Sequence, residues 1–421
     1  MRKMIDSGVE WLGSIPETWN LVQLGSLFSE HKNKNTGMQS NNLLSLSYGN
    51  IIRKDINTSD GLLPESFEGY NVIDEGDIVL RLTDLQNDQR SLRVGLSHER
   101  GIVTSAYVTL RKRIPTMSSK FFYYLIHSYD VRKGFYGMGA GVRQGLNFAG
   151  VRKIMLILPP ADEQNAIADF LEKKITQIDT LISNVQAQIE KLKAYKQSLI
   201  TEVVTQGIEL TVPMKDSGVE WIGKIPAHWE IAKLRTRTKM LTPMRDKPED
   251  LSGPIPWVRI EDYCGKYITT SKEQLGVSAE TIATMNLKIY PVGTVLCTSS
   301  CDLGKCAIVG RELVSNQRFI GIIPQPNLSS DYLYYLMLSN AERLNTLSTG
   351  SIQANLSRVS FEQLLVQFPP MAEQETLSNY LDRKCEAADR LIAIKQAKIE
   401  KLEQYKRSLI YEHVTGKKEV S

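Results

Sequence analysis

The chain has 421 residues, of which 42% are hydrophobic and 23% are charged, and its formal net charge is +4 at pH 7. This composition is typical of a folded globular protein and excludes a largely disordered chain, while the length predicts more than one domain. No apolar run is long enough to cross a membrane, and the first residues lack the apolar core of a signal peptide. We therefore expect a cytoplasmic protein that does not associate with membranes.

The sequence consists of two copies of one unit at an offset of 210 residues. Three blocks recur at this offset: 6–19 with 216–229, 159–164 with 369–374, and 189–200 with 399–410. The first block, DSGVEWLGSIPETW in its first copy, is called the opening motif below. The segments 20–157 and 230–367 share little sequence and are called the first and second bodies. Similar blocks around divergent bodies indicate one scaffold that recognises two different targets.

In chain order, the first body has β-branched, apolar segments at 77–82 and 102–110, which predict strands. An aromatic segment at 120–127 predicts a helix. Segments 294–297 and 332–337 predict the matching strand and helix of the second body. Aromatic residues in such helices are more typical of a hydrophobic core than of a platform that stacks bases.

A long helix is predicted after each body, at 162–206 and 372–415. The pair Pro159–Pro160 predicts where the first helix begins, and Gly207 predicts where it ends. Apolar residues recur every seven positions, as in a coiled coil. The predicted contact residues of these spacer helices are Leu171, Ile178, Val185, Leu192, Leu199, Leu381, Ile392, Ile399, Leu402 and Leu409. Three lysines interrupt the pattern: Lys196, Lys395 and Lys406.

These elements predict an α/β (α+β) tandem repeat in which two long antiparallel coiled-coil helices separate two globular domains. The alternative is that each helix is an ordinary amphipathic helix packed on its own body. The predicted globular domains are 1–157 and 208–367, each including its opening motif. The predicted helical regions are 158–207 and 368–421.

The sequence lacks the motifs of a catalytic or metal site. Cys297, Cys301 and Cys306 are close in sequence, but they have neither the Cys-x2-Cys spacing nor a fourth ligand of a zinc site. The glycines and lysine at 218–224 have the spacing of a phosphate-binding loop, but Ile225 stands where that loop needs Ser or Thr. We find no motif of an adenine methyltransferase. We therefore expect no catalytic residue, no metal and no cofactor in this chain.

The positive charge is concentrated in the bodies, which predicts that they bind DNA. Lys and Arg outnumber Asp and Glu by 17 to 12 in the first body and by 15 to 13 in the second. Arginine hydrogen-bonds guanine, and Asn or Gln hydrogen-bonds adenine. The candidate DNA-binding residues are Arg81, Arg90, Arg93, Arg143, Gln144, Arg259, Lys305, Arg318, Gln353 and Asn355. For the loops around 143–144 and 353–355, the alternative is a polar loop that only caps the following helix.

The doubled motifs, Glu-Trp-[Leu/Ile]-Gly-x-Ile-Pro-x-x-Trp and Pro-Pro-x-x-Glu-Gln followed by a long helix, resemble the specificity subunits of type I restriction-modification systems. The resemblance covers essentially the whole chain. It implies two target recognition domains, each binding half of a bipartite site in double-stranded DNA, and an antiparallel helical spacer. It also implies two modification subunits that bind S-adenosylmethionine and methylate adenine, and restriction subunits that use ATP and Mg²⁺ to cleave DNA.

Two other functions are open from the sequence. An enzyme with a fused methyltransferase or nuclease would need a cofactor fold or an acidic metal-binding motif. A protein-binding scaffold would use the bodies to bind proteins and the helices to dimerise, and would leave no DNA footprint.

Overall fold

The computed structural model describes residues 2–57, 64, 66–85, 88, 90–138, 145–209, 211–244, 246–300, 303–347 and 356–420. The chain forms two compact units. Unit 1 comprises residues 1–186 and 397–421, and unit 2 comprises residues 187–396. Each unit therefore contains one opening motif, one body and a segment of each long helix. Within the described ranges, no helix combines the length and the apolar character needed to cross a lipid bilayer.

The elements of unit 1 run up to the first long helix, which continues into unit 2. They are β1 (Met4–Asp6), β2 (Ser14–Pro16), β3 (Asn20–Gln23), α1 (Leu24–Leu27), β4 (Phe28–Glu30), β5 (Leu44–Ser47), β6 (Asn50–Arg53), a 3-10 turn (Phe67–Gly69), β7 (Asn71–Ile73), β8 (Ile78–Leu80), β9 (Val94–Leu96), β10 (Gly101–Val103), β11 (Val108–Lys112), α2 (Ser119–Val131), α3 (Phe148–Val151), β12 (Met155–Leu158) and α4 (Ala161–Gln206).

The elements of unit 2 follow a similar order and end with the second long helix, whose last part belongs to unit 1. They are β13 (Met214–Asp216), β14 (Lys224–Pro226), β15 (Glu230–Lys233), a 3-10 turn (Leu234–Thr236), β16 (Thr238–Leu241), β17 (Ile255–Val258), a 3-10 turn (Ile260–Asp262), β18 (Tyr267–Ile268), β19 (Gly276–Val277), α5 (Ala279–Met285), β20 (Val295–Thr298), β21 (Cys306–Val309), β22 (Val314–Ser315), β23 (Phe319–Pro324), α6 (Ser330–Ser339), α7 (Ala341–Leu347), α8 (Arg358–Glu362), β24 (Leu365–Phe368) and α9 (Met371–Val414).

The main sheets of the two bodies have the same strand order. In the first body the order is β4-β11-β8-β9, and in the second it is β16-β23-β20-β21 with β18 added at the edge. Each sheet packs against its aromatic helix, α2 or α6, whose Phe121, Phe122, Tyr332 and Leu336 are completely buried. The prediction that these aromatic residues belong to the core is therefore confirmed for the buried ones.

The predicted single strand at 102–110 is wrong, because the structure divides this segment into β10 and β11. The backbone turns between them, and the amide of Tyr107 donates to the carbonyl of Thr104 at 3.1 Å. β10 pairs with β7, whereas β11 lies between β4 and β8 in the main sheet. The apolar, β-branched composition identifies both strands, but it does not show the turn between them.

The first and last strands of each body pair with each other. β3 is antiparallel to β12 in the first body, and β15 is antiparallel to β24 in the second. Each body thus begins and ends at one place, next to the start of a long helix. This closure lets the sequence between the paired strands diverge without changing how the body joins the scaffold.

Both long helices begin and end within one residue of their predicted bounds. Gly207 follows α4 with a φ of +79°, and its amide donates to the carbonyl of Val203 at 3.0 Å. This is the left-handed C-cap that glycine favours. None of the ten predicted contact residues of the helices is exposed.

Segments of α4 and α9 lie antiparallel within each unit. In unit 1, Asp179 forms an ion pair with Lys406 at 2.6 Å, and Phe170 stacks on His413 with ring centroids 4.7 Å apart. In unit 2, the carboxylate of Asp389 forms an ion pair with Lys196 at 2.6 Å. The Lys395 ammonium also donates to the side-chain oxygen of Gln188 at 2.6 Å in that unit. In both units the residue numbers on α9 fall as those on α4 rise.

The three lysines that interrupt the heptad pattern therefore have defined partners on the neighbouring helix. The pairs Asp179–Lys406 and Asp389–Lys196 are the same interaction in the two copies, since each residue is displaced by 210. An apolar stripe alone permits the helices to slide by a heptad. Polar pairs at fixed positions favour one register.

The repeated motifs hold each body to the start of its helix. The indole nitrogen of Trp19 donates to the Glu163 carboxylate at 3.0 Å, and that of Trp229 donates to Glu373 at 2.9 Å. Both indoles are almost completely buried. The neighbouring glutamine side chain also joins the start of the helix to the body. Gln164 donates to the carbonyl of Pro159 and accepts from the amide of Ser118. Gln374 donates to the carbonyl of Pro369 and accepts from the amide of Ser329.

Trp19→Phe should loosen unit 1 only, because phenylalanine cannot donate to Glu163 and fills less of the buried space. A hydrogen bond to a charged group contributes about 1.5–3 kcal/mol, so we expect markedly faster amide exchange in the unit 1 body, measured by hydrogen–deuterium exchange. Trp229→Phe should produce the same change in unit 2. Trp221→Phe, at a tryptophan that is 44% exposed, is the control. Equal loosening of both units by Trp19→Phe would contradict this role.

Candidate DNA interface

In the first body, candidate DNA-binding residues lie in the loop that joins β8 to β9. This hairpin is closed by a hydrogen bond from the amide of Arg81 to the carbonyl of Arg93 at 2.9 Å. Arg81 is partly exposed, and its guanidinium lies 3.7 Å from the carboxylate of Asp88. Arg90 is exposed. Both can therefore present a guanidinium to solvent at this end of the sheet.

A second segment meets the same edge of the first body. The amide of Leu146 donates to the carbonyl of Leu82 at 2.9 Å, immediately after β8. Leu146 itself therefore lies beside the β8–β9 loop. Arg143 and Gln144 themselves lie outside the described residues, so their part in DNA binding stays a prediction.

The prediction that Arg93 contacts DNA is wrong, because this residue is buried. Its side chain is completely buried, and its guanidinium donates to the carbonyl oxygens of Thr83 at 2.6 Å and Asp84 at 3.2 Å and to that of Asp88. In this structure it has no surface to offer a base or a phosphate. The sequence prediction considered only residue type, and residue type does not show whether a side chain points out of a hairpin or into the domain.

The second body has an equivalent edge. Its hairpin joins β20 to β21 and is closed by a hydrogen bond from the amide of Thr298 to the carbonyl of Lys305 at 3.0 Å. The amide of Ser299 donates to the carbonyl of Arg318 at 2.8 Å, and the amide of Leu356 donates to that of Ser299 at 2.8 Å. Lys305 and Arg318 are both exposed. Gln353 and Asn355 lie outside the described residues and stay predictions.

Arg259 differs from the other candidates because acidic groups surround it. Its guanidinium lies 3.1 Å from Glu261 and 2.8 Å from Glu273, and the side chain is mostly covered. These carboxylates would have to release it before it could contact DNA. Arg259 is thus a weaker candidate than Arg318, whose backbone lies at the hairpin.

Among the described residues, side chains of the types that bind metal ions lie close together at one place. His31, Asp74 and Asp77 lie within reach of a common point. However, the Arg111 guanidinium donates to Asp77 at 2.5 Å and to Asp74 at 2.7 Å, so a fixed cation already neutralises these carboxylates.

In the second body, Cys297 and Cys306 lie opposite each other with their sulfur atoms 3.0 Å apart, and burial raises the pKa of the Cys297 thiol. Cys301 is outside the described residues.

Comparisons with known proteins agree with this arrangement. Residues 16–191 and 230–404 each match the family described as type I restriction modification DNA specificity domain. The MjaVIII type I restriction enzyme specificity subunit of Methanocaldococcus jannaschii is 24% identical over 429 residues, which cover 96% of this chain and 93% of that protein. The MjaIX specificity subunit of the same organism is 31% identical over 166 residues, 38% of each chain.

A solved structure from work on complex assembly and conformational transition of the type I R-M system has the same fold. It matches with a TM-score of 0.72 at 15% identity and covers 95% of this chain and 98% of that one. The predicted fold class, a mixed α/β tandem repeat with two long helices, is confirmed.

Two bodies with the same strand order, each within one match to a DNA specificity domain, define a duplicated DNA-recognition protein. The chain belongs to the family of type I restriction-modification specificity subunits, with one copy of the specificity domain in each half. Subunits of this family recognise DNA and are not themselves catalytic, which confirms the function expected from the repeated motifs.

Arg90→Ala and Arg318→Ala should each weaken DNA binding through a different body. A lost bidentate contact to a base costs about 1–3 kcal/mol and relaxes the specificity at one position, whereas a lost phosphate contact weakens binding to all sequences and lowers the salt slope by about 1. Titration of labelled DNA at several salt concentrations separates these outcomes. Arg113→Ala removes the same charge after β11, at the opposite end of the sheet. Weakening by Arg113→Ala equal to that by Arg90→Ala would rule out the proposed edge.

Proposed function

We propose that each body binds one half of a bipartite DNA site through its hairpin edge, and that the paired helices set the gap between the half-sites. The observation that carries this proposal is the equivalence of the two edges. The β8–β9 and β20–β21 hairpins occupy the same place in sheets of the same strand order, yet they differ in sequence and length. Equivalent positions with different side chains suit two different half-sites.

The chemistry would then belong to partner subunits. Two modification subunits with bound S-adenosylmethionine would methylate adenine, and restriction subunits would use ATP and Mg²⁺ to cleave unmodified DNA. The chain itself would hold none of these cofactors. The cytoplasm, where the chromosome of a prokaryote lies, is the compartment that this function requires.

A surface for the modification subunits is suggested by exposed apolar residues on the helices. Leu181 and Tyr195 of α4 are 48% and 54% exposed, and their counterparts Leu391 and Tyr405 of α9 are also 48% and 54% exposed. Single exposed apolar residues are common on soluble proteins. The same two positions are apolar and exposed in both copies, although the bodies have diverged.

The helical positions of these residues put one leucine and one tyrosine of each unit on the same side of the helix pair. Leu181 and Tyr405 belong to unit 1, and Tyr195 and Leu391 belong to unit 2. Each of these four residues follows a residue of its own helix's apolar stripe by three positions. Three positions are about 300° of helical rotation, so each side chain lies about 60° to one flank of the stripe. The equivalent flanks of antiparallel helices face the same side.

The body of each unit contacts the opposite flank. Lys120 forms an ion pair with Glu172 at 2.7 Å in unit 1, and Lys266 forms one with Asp382 at 2.6 Å in unit 2. Glu172 and Asp382 each follow a stripe residue by one position, which turns them about 100° the other way. The pairs Leu181–Tyr405 and Tyr195–Leu391, called the Leu–Tyr surfaces below, are thus left uncovered, one in each unit. Two equivalent surfaces suit two copies of one partner chain.

Mapping of methylated adenine tests the proposed function. Cells that express this chain with its modification subunit should gain methylation at one bipartite motif, two short blocks around a fixed gap. Replacing residues 20–157 with the body of another specificity subunit should change one block and leave the other block and the gap intact. Unchanged methylation from an assembled complex would refute DNA recognition and favour the protein-scaffold alternative.

Substitution of the Leu–Tyr surfaces tests the docking site. Leu181→Asp with Tyr405→Asp should remove one of two modification subunits, and Tyr195→Asp with Leu391→Asp should remove the other, because a carboxylate cannot be buried in an apolar contact without a large cost. Native mass spectrometry counts the bound subunits. The matched control, Ser183→Asp with Ala393→Asp, changes exposed helix residues on a different flank. Two subunits still bound to the variant that carries all four of the Leu and Tyr substitutions would disprove this docking site.

A further inference from the structure

The β8–β9 loop of the first body is longer than its counterpart in the second body. The two hairpins close in the same way, through Arg81 to Arg93 and through Thr298 to Lys305. The first therefore encloses residues 82–92 and the second only 299–304. Ordering a longer loop costs more conformational entropy, so a loop of fixed shape needs additional contacts.

Arg93 provides those contacts from inside the domain. One terminal nitrogen of its guanidinium donates to the carbonyl of Thr83, and the other donates to the carbonyls of Asp84 and Asp88. One buried cation thus fixes three carbonyl oxygens along the loop. Lys305, at the equivalent hairpin position of the second body, has an exposed side chain.

Asp88 contributes a second set of contacts at the tip of this loop. Its carboxylate accepts hydrogen bonds from the amides of Ser91 at 3.0 Å and Arg90 at 3.3 Å. Hydrogen bonds from Ser91 lower the pKa of Asp88 to about 2, so the carboxylate is ionised under all physiological conditions. The other oxygen of this carboxylate lies 3.8 Å from the Arg93 guanidinium. The backbone of Arg90 is therefore held through Asp88.

The same arginine joins the loop to the segment that begins at the end of α2. The backbone amide of Arg93 donates to the Asp130 carboxylate at 2.5 Å, and its side chain donates to the Tyr136 hydroxyl at 3.3 Å. The guanidinium also lies 5.6 Å from the centre of the Tyr136 ring. The Tyr136 hydroxyl lies 3.4 Å from the carbonyl oxygens of both Asp88 and Ser91.

We propose that Arg93 is a specificity-determining positioning residue for the first half-site. It acts without touching DNA, by fixing the backbone at Thr83, Asp84 and Asp88, and Asp88 in turn holds the backbone amide of Arg90. This inference rests on the proposed function, because it assumes that the loop lies on DNA. The hairpin of the second body is shorter, so ordering it costs less conformational entropy.

Arg93→Lys in the full chain, assembled with the modification subunit, is the main test. A lysine keeps the charge but cannot bridge three carbonyl oxygens with fixed geometry. Mapping of methylated adenine should show the half-site of the first body relaxed. Methylation at sites with one wrong base in that half should rise about 10-fold or more, because the loss of a base contact relaxes the choice of base at that position. The second half-site and the gap should not change.

Two further variants separate positioning from folding. Tyr136→Phe removes only the hydroxyl and should relax the same half-site to a smaller extent, so it tests the network even if an Arg93 variant fails to assemble. Phe28→Leu perturbs the core of the same body in β4, away from the loop, and should lower methylation at every site with the motif unchanged. An unchanged first half-site in Arg93→Lys and Tyr136→Phe would overturn the inference. Absence of any bipartite motif in the wild-type complex would instead reject the proposed function.

Discussion

Antiparallel contact between segments of two long helices is the constraint on which the rest of the protein depends. Each unit takes part of its core from a helix that starts far away in the sequence: Leu409 and Ile410 of α9 are buried with the first body, and Ile200 and Val203 of α4 are buried with the second. Neither body can complete its core from its own contiguous sequence. The opening motif, the helix starts and the helix ends must therefore match in both copies.

This requirement explains which parts of the sequence repeat and which diverge. The repeated Trp, Glu and Gln residues connect each body to its helix through buried hydrogen bonds. A buried polar group that loses its partner is costly, so these residues are restricted together. The hairpin loops are farther from this connection along the chain, so the described contacts of the repeated residues leave the loop length free to differ.

The sequence predicted the features that arise from periodicity and repetition. The helix bounds, the apolar stripe and the two-copy organisation follow from local spacing, which is visible without a structure. Lys196 and Lys406 looked like defects of the heptad because their partners, Asp389 and Asp179, lie on another helix. Asp179 and Lys196 recur 210 residues later as Asp389 and Lys406, and this repetition was the signal that could have identified the pairs.

The candidate interface was less predictable because it depends on side-chain direction. Arg90 and Arg93 are of one residue type in one loop, yet the first is exposed and the second is buried beneath the backbone that it supports. Residue type indicates the chemistry of a contact, and only tertiary packing decides whether that chemistry is available. The sequence did not predict the exposed Leu–Tyr surfaces, because the heptad pattern identifies only the residues on the buried side of each helix.

The division of the chain also imposes an order on folding during synthesis. Unit 2 is one continuous segment, residues 187–396, and its core is complete once that segment has left the ribosome. Unit 1 contains residues 1–186 but also needs residues 397–421, which are made after all of unit 2. Domains generally fold as they emerge, N-terminal first. Here the first body must wait, with part of its apolar surface uncovered, until residues 397–421 have followed unit 2 from the ribosome. A premature stop codon just after the codons of unit 2 would therefore damage the domain that is encoded before unit 2.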